Sequence, residues 1–386
     1  MPNKAPANWE EKTLGDILDK GSSNLSANKL NNCDGIYPVY GAGGLVKKIN
    51  FYQQEQEYLA IIKDGAGVGR VYHYEPKTSI LGTLQYLFPK KNVNIRFAYY
   101  YLQSIDFKKY YQGAAIPHIY YKDYKFEQLI LPPLSEQERI VRILDKAFEN
   151  IEKAKQNTLQ NLNNAKELFE SHLKTFFEKS NSDWREYRLI DITSKIGSGS
   201  TPLGGKKSYT NEGISLIRSM NVHDRQFVHE GLAHINEQQA NELNGVTIYE
   251  NDVLLNITGA SVARCCVVPN NVIPARVNQH VSIIRPRLEY VSAKFLCYLL
   301  TSKYYKDRLL KEGEDGGATR QALTKSGLEQ FVISIPEDLN MQEKVVGQLE
   351  KIHEYTQKLE QTYNQKLKSL EELKQSILQK AFNGEL

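Results

Sequence analysis

The chain has 386 residues, of which 41% are hydrophobic and 24% charged, so composition excludes a disordered chain and allows two or three globular cores. The formal net charge of +4 is only mildly basic, so any binding to nucleic acid must come from local patches. No apolar run approaches the roughly 20 residues of a membrane span, and no signal-peptide pattern opens the sequence, so we expect a cytoplasmic, soluble protein.

The first distinctive element is the glycine-rich stretch GAGVGR at residues 65–70, which follows the apolar run YLAIIKD. A dinucleotide-binding loop needs Gly-x-Gly-x-x-Gly between a strand and a helix. Here the third glycine comes one residue early, and the following RVYHYEP is rich in aromatic and β-branched residues that favour a strand. The sequence therefore predicts a strand, a glycine turn and a second strand.

The next element is a long helix that starts within SEQERIVRILDKAFENIEKA. From Ile140 and Leu144 to Leu168, its apolar residues recur mainly at alternating steps of four and three, which is typical of a helix that packs along another helix. Ser135 and Glu138 have the spacing of a capping box. Thr158 and the stretch QNTLQNLNNA weaken the pattern midway, so a local break in the helix is an open alternative.

The second half of the chain repeats the first. NWEEKTLGDI from Asn8 resembles DWREYRLIDI from Asp183, and IIKDGAGVGRV resembles LNITGASVARC, with Gly65 opposite Gly259. Because the glycine stretch occurs twice, we interpret it as a structural turn and not as a nucleotide loop. Each half is expected to be a mixed domain of short strands and one or two helices, followed by a long helix.

The second long helix repeats the first without a gap. NMQEKVVGQLEKIHEYTQKL aligns with the first helix at an offset of 205, which is 345 less 140, and its apolar positions run from Val345 to Leu373. Asn340 and Glu343 repeat the capping pattern, and Gly384 can supply a left-handed cap at the end. If each helix has about 44 residues, each is roughly 65 Å long.

The predicted fold class is α+β, with two repeated mixed α/β domains separated by two long antiparallel helices and related by a pseudo-two-fold axis. Each helix follows its globular domain, so antiparallel packing of the helices would place the two domains at opposite ends. The predicted boundaries are 1–133 for the first domain, 134–182 for the first helix, 183–337 for the second domain and 338–386 for the second helix.

The two halves differ most where cations, aromatic residues and amides concentrate. Arginine can bind guanine with two hydrogen bonds and Asn or Gln can bind adenine, while lysines mainly contact phosphates. In the first half the candidate DNA-binding residues are Tyr37, Tyr40, Lys47, Lys48, Lys63, Arg70, His118, Tyr120 and Lys122. In the second half they are Lys206, Lys207, Arg218, Ser219, Asn221, Arg264, Arg276, Asn278, Gln279, Arg320 and Gln321. Any one of these could instead be an ordinary surface or core residue, because only a handful of side chains per module reach base edges.

Three segments carry a resemblance to a known family: LPPLSEQERIVRILD, its echo IPEDLNMQEKVVGQLE, and the terminal LKQSILQKAFNGEL. They resemble the specificity subunit of type I restriction-modification enzymes, and the resemblance covers essentially the whole chain. It implies a protein without a catalytic centre, in which each globular domain reads one half of a split, asymmetric DNA target. It also implies that the long helices fix the gap between the two halves.

The resemblance further implies partner subunits. Two copies of an adenine methyltransferase subunit that uses S-adenosylmethionine are expected to clamp the DNA, and restriction subunits that use ATP and magnesium are expected to join them. This chain is expected to bind no cofactor itself. The residues that match the family's helical dock for the methyltransferase subunits are Gln137, Ile140, Leu144, Gln342, Val345 and Leu349. The apolar members of this set could equally serve the packing between the helices.

A search for catalytic motifs favours the non-catalytic interpretation. The sequence has no Asn-Pro-Pro-Phe or Asn-Pro-Pro-Tyr motif and no phosphate-binding loop. The histidines His223, His229 and His234 are five and six residues apart, which does not fit a helical zinc pair, so no metal site is predicted. The four cysteines lack C-x-x-C spacing and are expected to be free thiols.

Other functions stay open at this point. One alternative is the DNA-recognition subunit of a methylation-only or related phage-defence system. Others are a self-contained DNA methyltransferase, which the missing motifs disfavour, and a coiled-coil scaffold that does not bind nucleic acid. A steep salt dependence of binding to random duplex would separate the DNA-binding alternatives from the scaffold, because phosphate contacts release counterions.

Overall fold

The structure, a computed structural model, describes residues 8–30, 33–113, 116–178, 184–314 and 322–386. The chain divides into two compact units. Unit 1 contains the residues up to Leu159 together with Asn364–Leu386, and unit 2 contains Gln160–Tyr363. Each unit therefore combines a globular part with segments of both long helices.

Two long helices continue through both units. The helices are α1 (Leu14–Ile17), α2 (Ile95–Ser104), α3 (Tyr121–Tyr124), α4 (Leu134–Glu178), α5 (Leu189–Ile192), α6 (Glu237–Glu242), α7 (Ala293–Thr301), α8 (Lys303–Glu314), α9 (Lys325–Gln330) and α10 (Leu339–Phe382). With 45 and 44 residues, α4 and α10 confirm the two predicted long helices, and α4 continues through Thr158 without a break. Among the described residues, no helix is both long and apolar enough to cross a lipid bilayer.

The start of each long helix differs from the prediction. α4 begins one residue before Ser135 and α10 begins one residue before Asn340. In α10 the Asp338 carboxylate accepts a hydrogen bond from the Asn340 N–H at 2.9 Å. The capping boxes predicted with Glu138 and Glu343 are wrong, because Ser135 and Asn340 already lie inside the first helical turn.

The end of α10 is as predicted. Gly384 has a φ of 76°, in the left-handed region. The N–H of Glu385 donates to the carbonyl of Lys380 at 2.9 Å, which is the long hydrogen bond of a Schellman cap. The glycine therefore ends the helix and satisfies one of its last carbonyls.

Unit 1 is built from short strands in small sheets. The strands are β1 (Glu10–Thr13), β2 (Leu18–Ser22), β3 (Tyr37–Gly41), β4 (Gly44–Ile49), β5 (Tyr58–Ile62), β6 (Val71–Tyr74), β7 (Ser79–Ile80), β8 (Leu84–Pro89) and β9 (Gln128–Leu131). β1 pairs with β9, the order β2-β8-β5-β6 forms a four-stranded sheet, and the order β4-β3-β7 forms a three-stranded sheet. β3 and β7 are parallel. The apolar run that precedes the glycine stretch is β5, which is buried along its length.

Unit 2 repeats this topology. Its strands are β10 (Trp184–Arg188), β11 (Thr193–Ser198), β12 (Ile214–Ile217), β13 (Val222–His223), β14 (Gln226–Phe227), β15 (Ala233–Ile235), β16 (Val253–Asn256), β17 (Cys265–Val267), β18 (Ala275–Val277), β19 (Val281–Pro286) and β20 (Val332–Pro336). The pair β10-β20 and the sheets β11-β19-β16-β17 and β15-β12-β18 have the strand order of their counterparts in unit 1, including a parallel pair. The internal repeat in the sequence is therefore a repeat of the fold.

The two glycine turns occupy the same place in this topology. β5 and β6 are antiparallel neighbours on either side of GAGVGR, where Gly65 has a φ of 88°. β16 and β17 are antiparallel neighbours on either side of the equivalent turn, where Gly259 has a φ of 78°. These turns confirm the predicted succession of strand, glycine turn and strand.

In unit 1 the beginning of α4 and the end of α10 pack on the same core. Ile140 and Leu144 of α4 are buried in one cluster with Leu378 and Ala381 of α10. The Arg139 guanidinium donates to the carbonyl of Leu386, and further along α4 the Phe148 ring lies 5.3 Å from the Lys374 ammonium, so the two helical segments run in opposite directions within this unit. The same cluster includes β5, β8 and α2.

Unit 2 contains the converse pair of segments. Phe169 and Leu173, from the last part of α4, share a core with Val345 and Leu349, from the first part of α10. The rings of Phe169 and His353 lie 4.9 Å apart. Antiparallel packing of the two helices, which the sequence predicts, thus occurs inside each unit.

The far end of the predicted seam shifts by one residue. Leu168 and Leu373 were expected on the buried stripe, but 38% and 47% of their surfaces are exposed. Phe169 takes the buried place in α4. An α-helix with 3.6 residues per turn drifts by about 20° per heptad from a 3.5-residue repeat, so four heptads shift the stripe by roughly one residue.

The cysteines are free thiols, as expected. Cys265, Cys266 and Cys297 are buried in unit 2, and Cys33 is half-buried in unit 1. Burial raises the pKa of the Cys265 and Cys266 thiols well above its ordinary value. These two groups therefore stay protonated and contribute to the core.

Candidate nucleic-acid interface

In unit 1 several candidate DNA-binding residues come together beside the glycine turn. The N–H of Ile119 donates to the carbonyl of Lys63 at 2.9 Å, and the N–H of Gly65 donates to the carbonyl of Pro117 at 3.1 Å. These bonds hold the segment that contains His118 against the start of the turn. Residues that are more than 50 positions apart in the sequence thus share one surface.

The turn patch of unit 1 consists of Lys63, Arg70, His118, Tyr120 and Lys122. The rings of His118 and Tyr120 meet edge to face at 5.0 Å, and the Nζ of Lys122 lies 5.2 Å above the Tyr120 ring. Arg70 is exposed at the end of the turn, and its guanidinium makes no hydrogen bond or ion pair within the described part of the chain. Cations and an aromatic face are therefore available together at this surface.

The β3–β4 hairpin carries the other candidates of unit 1. The Tyr37 ring packs edge to face on a neighbouring tyrosine at 4.9 Å, and Tyr40 stacks on a tyrosine of β6 at 4.3 Å. The Lys47 ammonium donates to a backbone carbonyl at 2.8 Å and pairs with Asp34 at 2.9 Å. These three side chains support the hairpin, while Lys48 is exposed on it.

Three candidates in unit 2 are buried and hold the fold together. Asn221 is fully buried, and its amide donates to a backbone carbonyl at 2.9 Å and accepts from the N–H of Arg218 at 3.1 Å. Arg276 donates to two backbone carbonyls and a side-chain carbonyl, each at 3.0 Å, and burial lowers its pKa. The buried Asn278 accepts from the N–H of His280 at 3.1 Å. Burial and these internal bonds disfavour direct base contacts by the three side chains, and their assignment to the DNA surface stays a prediction.

Other candidates of unit 2 lie on the surface. Lys206 and Lys207 are exposed on a short 3-10 helix. Gln279 is exposed and accepts a hydrogen bond from a threonine hydroxyl. Arg320 and Gln321 lie outside the described residues.

Ser219 and Arg264 line a common cleft in unit 2. This unit 2 cleft has a volume of about 480 Å³. It is lined by Ser219, Met220, Thr258, Gly259, Ala260, Ser261, Arg264 and His280. Arg218 lies beside Ser219, with its guanidinium 5.5 Å from the Tyr209 ring and a hydrogen bond to the carbonyl of Gly231. The cleft is formed by the turn equivalent to GAGVGR, by a segment that follows β12 and by His280, which lies between β18 and β19.

Sequence reasoning missed the residues that shape this cleft. The amide of Asn256 donates to the carbonyl of Ser219 at 2.9 Å and to the hydroxyl of Ser261 at 3.2 Å. The hydroxyl of Thr258 lies 2.6 Å from Nδ1 of His280. One signal was available, since a single asparagine ends the otherwise apolar strand VLLN, and a buried polar residue usually has a specific bonding role.

The buried glutamines of the long helices tie each helix to its own unit. The Gln137 amide accepts from the N–H of Asn94 and donates to a proline carbonyl, both at 2.8 Å. The Gln342 amide accepts from the N–H of Ser292 and donates to a proline carbonyl, both at 2.9 Å. Asn94 and Ser292 cap the equivalent helices α2 and α7. The same device therefore operates in both units.

All six residues predicted to dock partner subunits are buried within their own unit. Gln137, Leu144, Gln342 and Leu349 have no exposed surface, and Ile140 and Val345 are exposed by 1% and 3%. Their side chains are covered by their own core, which disfavours direct docking through them, and the docking role stays a prediction.

Metal binding is not indicated by the arrangement of possible ligands. Within the ranges that the structure describes, no three His, Cys, Asp or Glu side chains are grouped so that they could hold a metal ion. His223 lies in β13 and His234 in β15, and His229 is exposed between these strands.

The sequence matches the family described as the type I restriction modification DNA specificity domain, over residues 6–161 and again over 181–369. The type I restriction enzyme MjaVIII specificity subunit of Methanocaldococcus jannaschii is 23% identical, with 80% of this chain and 78% of that protein aligned. The type I restriction enzyme EcoDI specificity subunit of Escherichia coli is 24% identical, with 99% of this chain and 90% of that protein aligned.

Solved structures share the fold. A chain from a structural study of complex assembly and conformational transition in the type I R-M system has a TM-score of 0.74 at 18% identity, over 100% of both chains. The HsdS subunit of Thermoanaerobacter tengcongensis has a TM-score of 0.57 at 17% identity, over 100% of this chain and 99% of that one. The predicted fold class, with two repeated mixed α/β domains and two long helices, is confirmed.

Proposed function

This chain belongs to the type I restriction modification DNA specificity family, and from that membership we propose that it recognises a bipartite, asymmetric DNA target for partner subunits that methylate and cleave DNA. The observation that carries this proposal is the duplicated fold with unlike surfaces. The two units have the same strand order, and each presents one glycine turn with an arginine that has no partner in the described part of the chain. One framework used twice suits two separate half-targets.

The asymmetry of the target follows from the residues around each turn. In unit 1, Arg70 shares the turn patch with Tyr120 and Lys122. In unit 2, Arg264 shares a cleft with Ser219 and His280. Because base edges are distinguished by the pattern of donors and acceptors that contact them, unlike sets of side chains are expected to select unlike sequences.

We assign the gap between the half-targets to α4 and α10. Both helices are unbroken, and each passes from one unit into the other. A helix rises 1.5 Å per residue, so its length sets a fixed spacing. In this proposal the chain contributes recognition and spacing and carries no catalytic group.

The proposed partners follow from the family. They are double-stranded DNA, two adenine methyltransferase subunits that bind S-adenosylmethionine, and restriction subunits that use ATP and magnesium. In support, the curated relatives are named specificity subunits of type I restriction enzymes. The partner surfaces are proposed on exposed parts of α4 and α10, since the residues first considered for this role are buried.

The test is the methylation pattern that the chain directs. The chain is co-expressed with the methyltransferase subunit of its own system, and methylated adenines are mapped by single-molecule sequencing. An interrupted, non-palindromic motif is expected. A continuous or palindromic motif contradicts the proposal, and so does methyl transfer by the purified chain alone with a labelled methyl donor.

A domain exchange sharpens the test. Replacing residues 1–133 by the matching segment of a relative is expected to change one half of the motif and leave the other half and the gap unchanged. Insertion of one heptad into both long helices is expected to lengthen the gap. Changes in both halves after the exchange would reject the assignment of one half-target to each unit.

A further inference from the structure

Arg264 differs from the other described arginines of unit 2, because its guanidinium has no partner among the residues that the structure describes. Those arginines bond to carboxylates or carbonyls, or lie over aromatic rings; they are Arg185, Arg188, Arg218, Arg225, Arg276, Arg285, Arg287 and Arg308. Arg264 lines the unit 2 cleft, and none of the described residues that line it with Arg264 carries a carboxylate. Its five N–H donors are therefore unused at the surface.

The position of Arg264 is set by the framework and not by its own contacts. The N–H of Asn256 donates to the carbonyl of Arg264 at 2.8 Å, and the N–H of Ile62 donates to the carbonyl of Arg70 at 2.9 Å. The two arginines thus occupy the same register at the end of equivalent turns. A side chain that is held by its backbone and has free donors is ready to meet a ligand.

The remaining groups of the cleft favour a ligand with hydrogen-bond acceptors. The hydroxyl of Thr258 contacts Nδ1 of His280 at 2.6 Å, so Nε2 is the ring nitrogen that stays available. In the tautomer in which Thr258 donates, Nε2–H is a second donor beside Arg264. In the major groove guanine offers two acceptors, O6 and N7, whereas adenine offers one acceptor and one donor. Two donors, with no carboxylate among the described lining residues, match guanine.

Asn256 links the two walls of the cleft. Its amide donates to the carbonyl of Ser219 at 2.9 Å and to that of Val222 at 3.2 Å, on one wall. It also donates to the hydroxyl of Ser261 at 3.2 Å, on the other wall. Ile62 occupies this position in unit 1, because Asn256 follows Ile62 by 194 residues, the same separation as that between Gly259 and Gly65. The amide is thus a feature of unit 2 that the shared framework does not require.

The wall that Asn256 holds belongs to an insertion. We define the arm as residues 218–232, which include the β13–β14 hairpin and separate β12 from β15. In unit 1 a short turn connects the equivalent strands β3 and β4. The arm is anchored at its tip by Arg225, which pairs with Glu170 of α4 at 2.9 Å. The arm therefore distinguishes the recognition surface of unit 2 from that of unit 1.

We propose that Arg264, with His280, reads a guanine in the half-target of unit 2, and that Asn256 is the positioning residue that holds the cleft in shape for this contact. The inference rests on the proposed function, since it names the base that the same surface selects. In this proposal Arg264 forms hydrogen bonds to the edge of the base, and Asn256 acts through the arm without contacting DNA.

The experiment is a binding selection with the purified full-length chain and a library of randomised duplexes, followed by sequencing. Arg264→Ala is expected to lower the preference for guanine at one position roughly 5- to 150-fold, the range for loss of one bidentate base contact. The other half of the motif should stay unchanged. Lys303→Ala is the matched control, because it removes an exposed cation of α8 that pairs with Asp307.

The outcomes separate three cases. If Arg264→Ala leaves the motif intact and weakens all sequences equally, with a salt slope reduced by about one, Arg264 contacts a phosphate and the inference is overturned. Relaxation at a position that is not guanine also overturns it. If the unaltered chain enriches no motif at all, the proposed function fails before the inference is reached.

Asn256 is tested in the same selection. Asn256→Ala and Asn256→Asp both remove the amide donor, so each is expected to weaken the preference for guanine at the position that Arg264 reads. Trp184 fluorescence checks that unit 2 of each variant is folded. A folded variant with the full preference contradicts the positioning role. If neither variant folds, Ser261→Ala, which removes one acceptor of the amide on the cleft wall, decides by the same criterion.

Discussion

Units 1 and 2 place different chemistry at equivalent positions of one framework. In unit 2 Asp252 is fully buried, and the Arg285 guanidinium donates to its two carboxylate oxygens at 2.7 and 2.8 Å. By strand register the counterparts in unit 1 are Tyr58 and Phe88, whose rings lie 6.4 Å apart. An ion pair and an aromatic pair thus fill the same place between central strands. The strand pairing fixes which positions face each other, and it leaves their chemistry free to differ.

The largest expected difference between the units comes from these pairs. Asp252→Ala leaves the guanidinium of Arg285, which is 23% exposed, without its carboxylate, so we expect unit 2 to lose about 3 kcal/mol of unfolding free energy. Tyr58→Phe removes only the hydrogen bond between the Tyr58 and Thr78 hydroxyls, which are 2.8 Å apart, so we expect unit 1 to lose about 1 kcal/mol.

The measurement uses the two tryptophans of the chain, Trp9 in unit 1 and Trp184 in unit 2. Trp9→Phe leaves Trp184 to report urea unfolding of unit 2, and Trp184→Phe leaves Trp9 to report unit 1. Equal losses for the two substitutions would mean that removing the Asp252 carboxylate costs no more than removing one buried hydrogen bond. A loss seen by both probes to the same extent would mean that the units unfold together.

A smaller expected difference lies in the turns themselves. Gly69 has a φ of 87°, and a Cβ there would lie 2.7 Å from the Cβ of Phe107, so Gly69→Ala is expected to destabilise unit 1 by about 2 kcal/mol. Its counterpart Ala263 has a φ of 63° and is fully buried. Ala263→Gly relieves backbone strain but removes a buried methyl group and loosens the unfolded chain, so a net change within about 0.5 kcal/mol is expected.

The reciprocal substitutions are measured by urea unfolding with the tryptophan of the same unit. Their unequal outcomes would show that the two turns, although equivalent in topology, have adapted to different neighbours. If Gly69→Ala is tolerated as well as Ala263→Gly, the approach of Phe107 does not restrict the turn of unit 1.

The sequence predicted the framework because the framework follows periodic rules. Alternating steps of four and three identified both long helices, and the repeated glycine stretch identified equivalent turns. The seam was placed wrongly only near Leu168 and Leu373, where a seven-residue repeat and a straight helix diverge. Features that depend on local period were therefore predictable.

The recognition surface was less predictable because it depends on contacts between distant segments. Arg264 and Arg276 are both arginines of unit 2, yet Arg264 lines an open cleft and Arg276 is hydrogen-bonded inside the protein. Gln137 was assigned to a partner surface, but its amide is enclosed by backbone groups from around residues 92 and 132. No local sequence pattern shows which polar side chain forms a hydrogen bond inside the protein. Residue type alone therefore could not distinguish side chains that are free at the surface from side chains that are bonded internally.

The smallest expected difference between the units is a dependence of stability on pH. Only unit 2 should show it, because only there does a histidine lie between α4 and α10 at this position. His353 of unit 2 corresponds to Phe148 of unit 1, since 353 less 205 is 148. Burial, and then the positive charge of Arg225, lower the pKa of His353, while Glu170 and Glu360 oppose this shift. The unfolded chain therefore binds a proton at His353 more tightly than folded unit 2 does.

The sign of the effect follows from this lowered pKa. Above the ordinary histidine pKa of about 6.5, the His353 ring is neutral in both the folded and the unfolded chain, so its titration does not reduce the stability of unit 2. As the pH falls below that value, protonation favours the unfolded chain, so the urea midpoint reported by Trp184 should decline between about pH 7.5 and about pH 5.5. His353→Phe should remove this part of the decline, and Phe148→His should introduce one in the Trp9 signal of unit 1. An unchanged decline in His353→Phe would assign the pH dependence to other groups, and the two units would then not differ at this position of their helix packing.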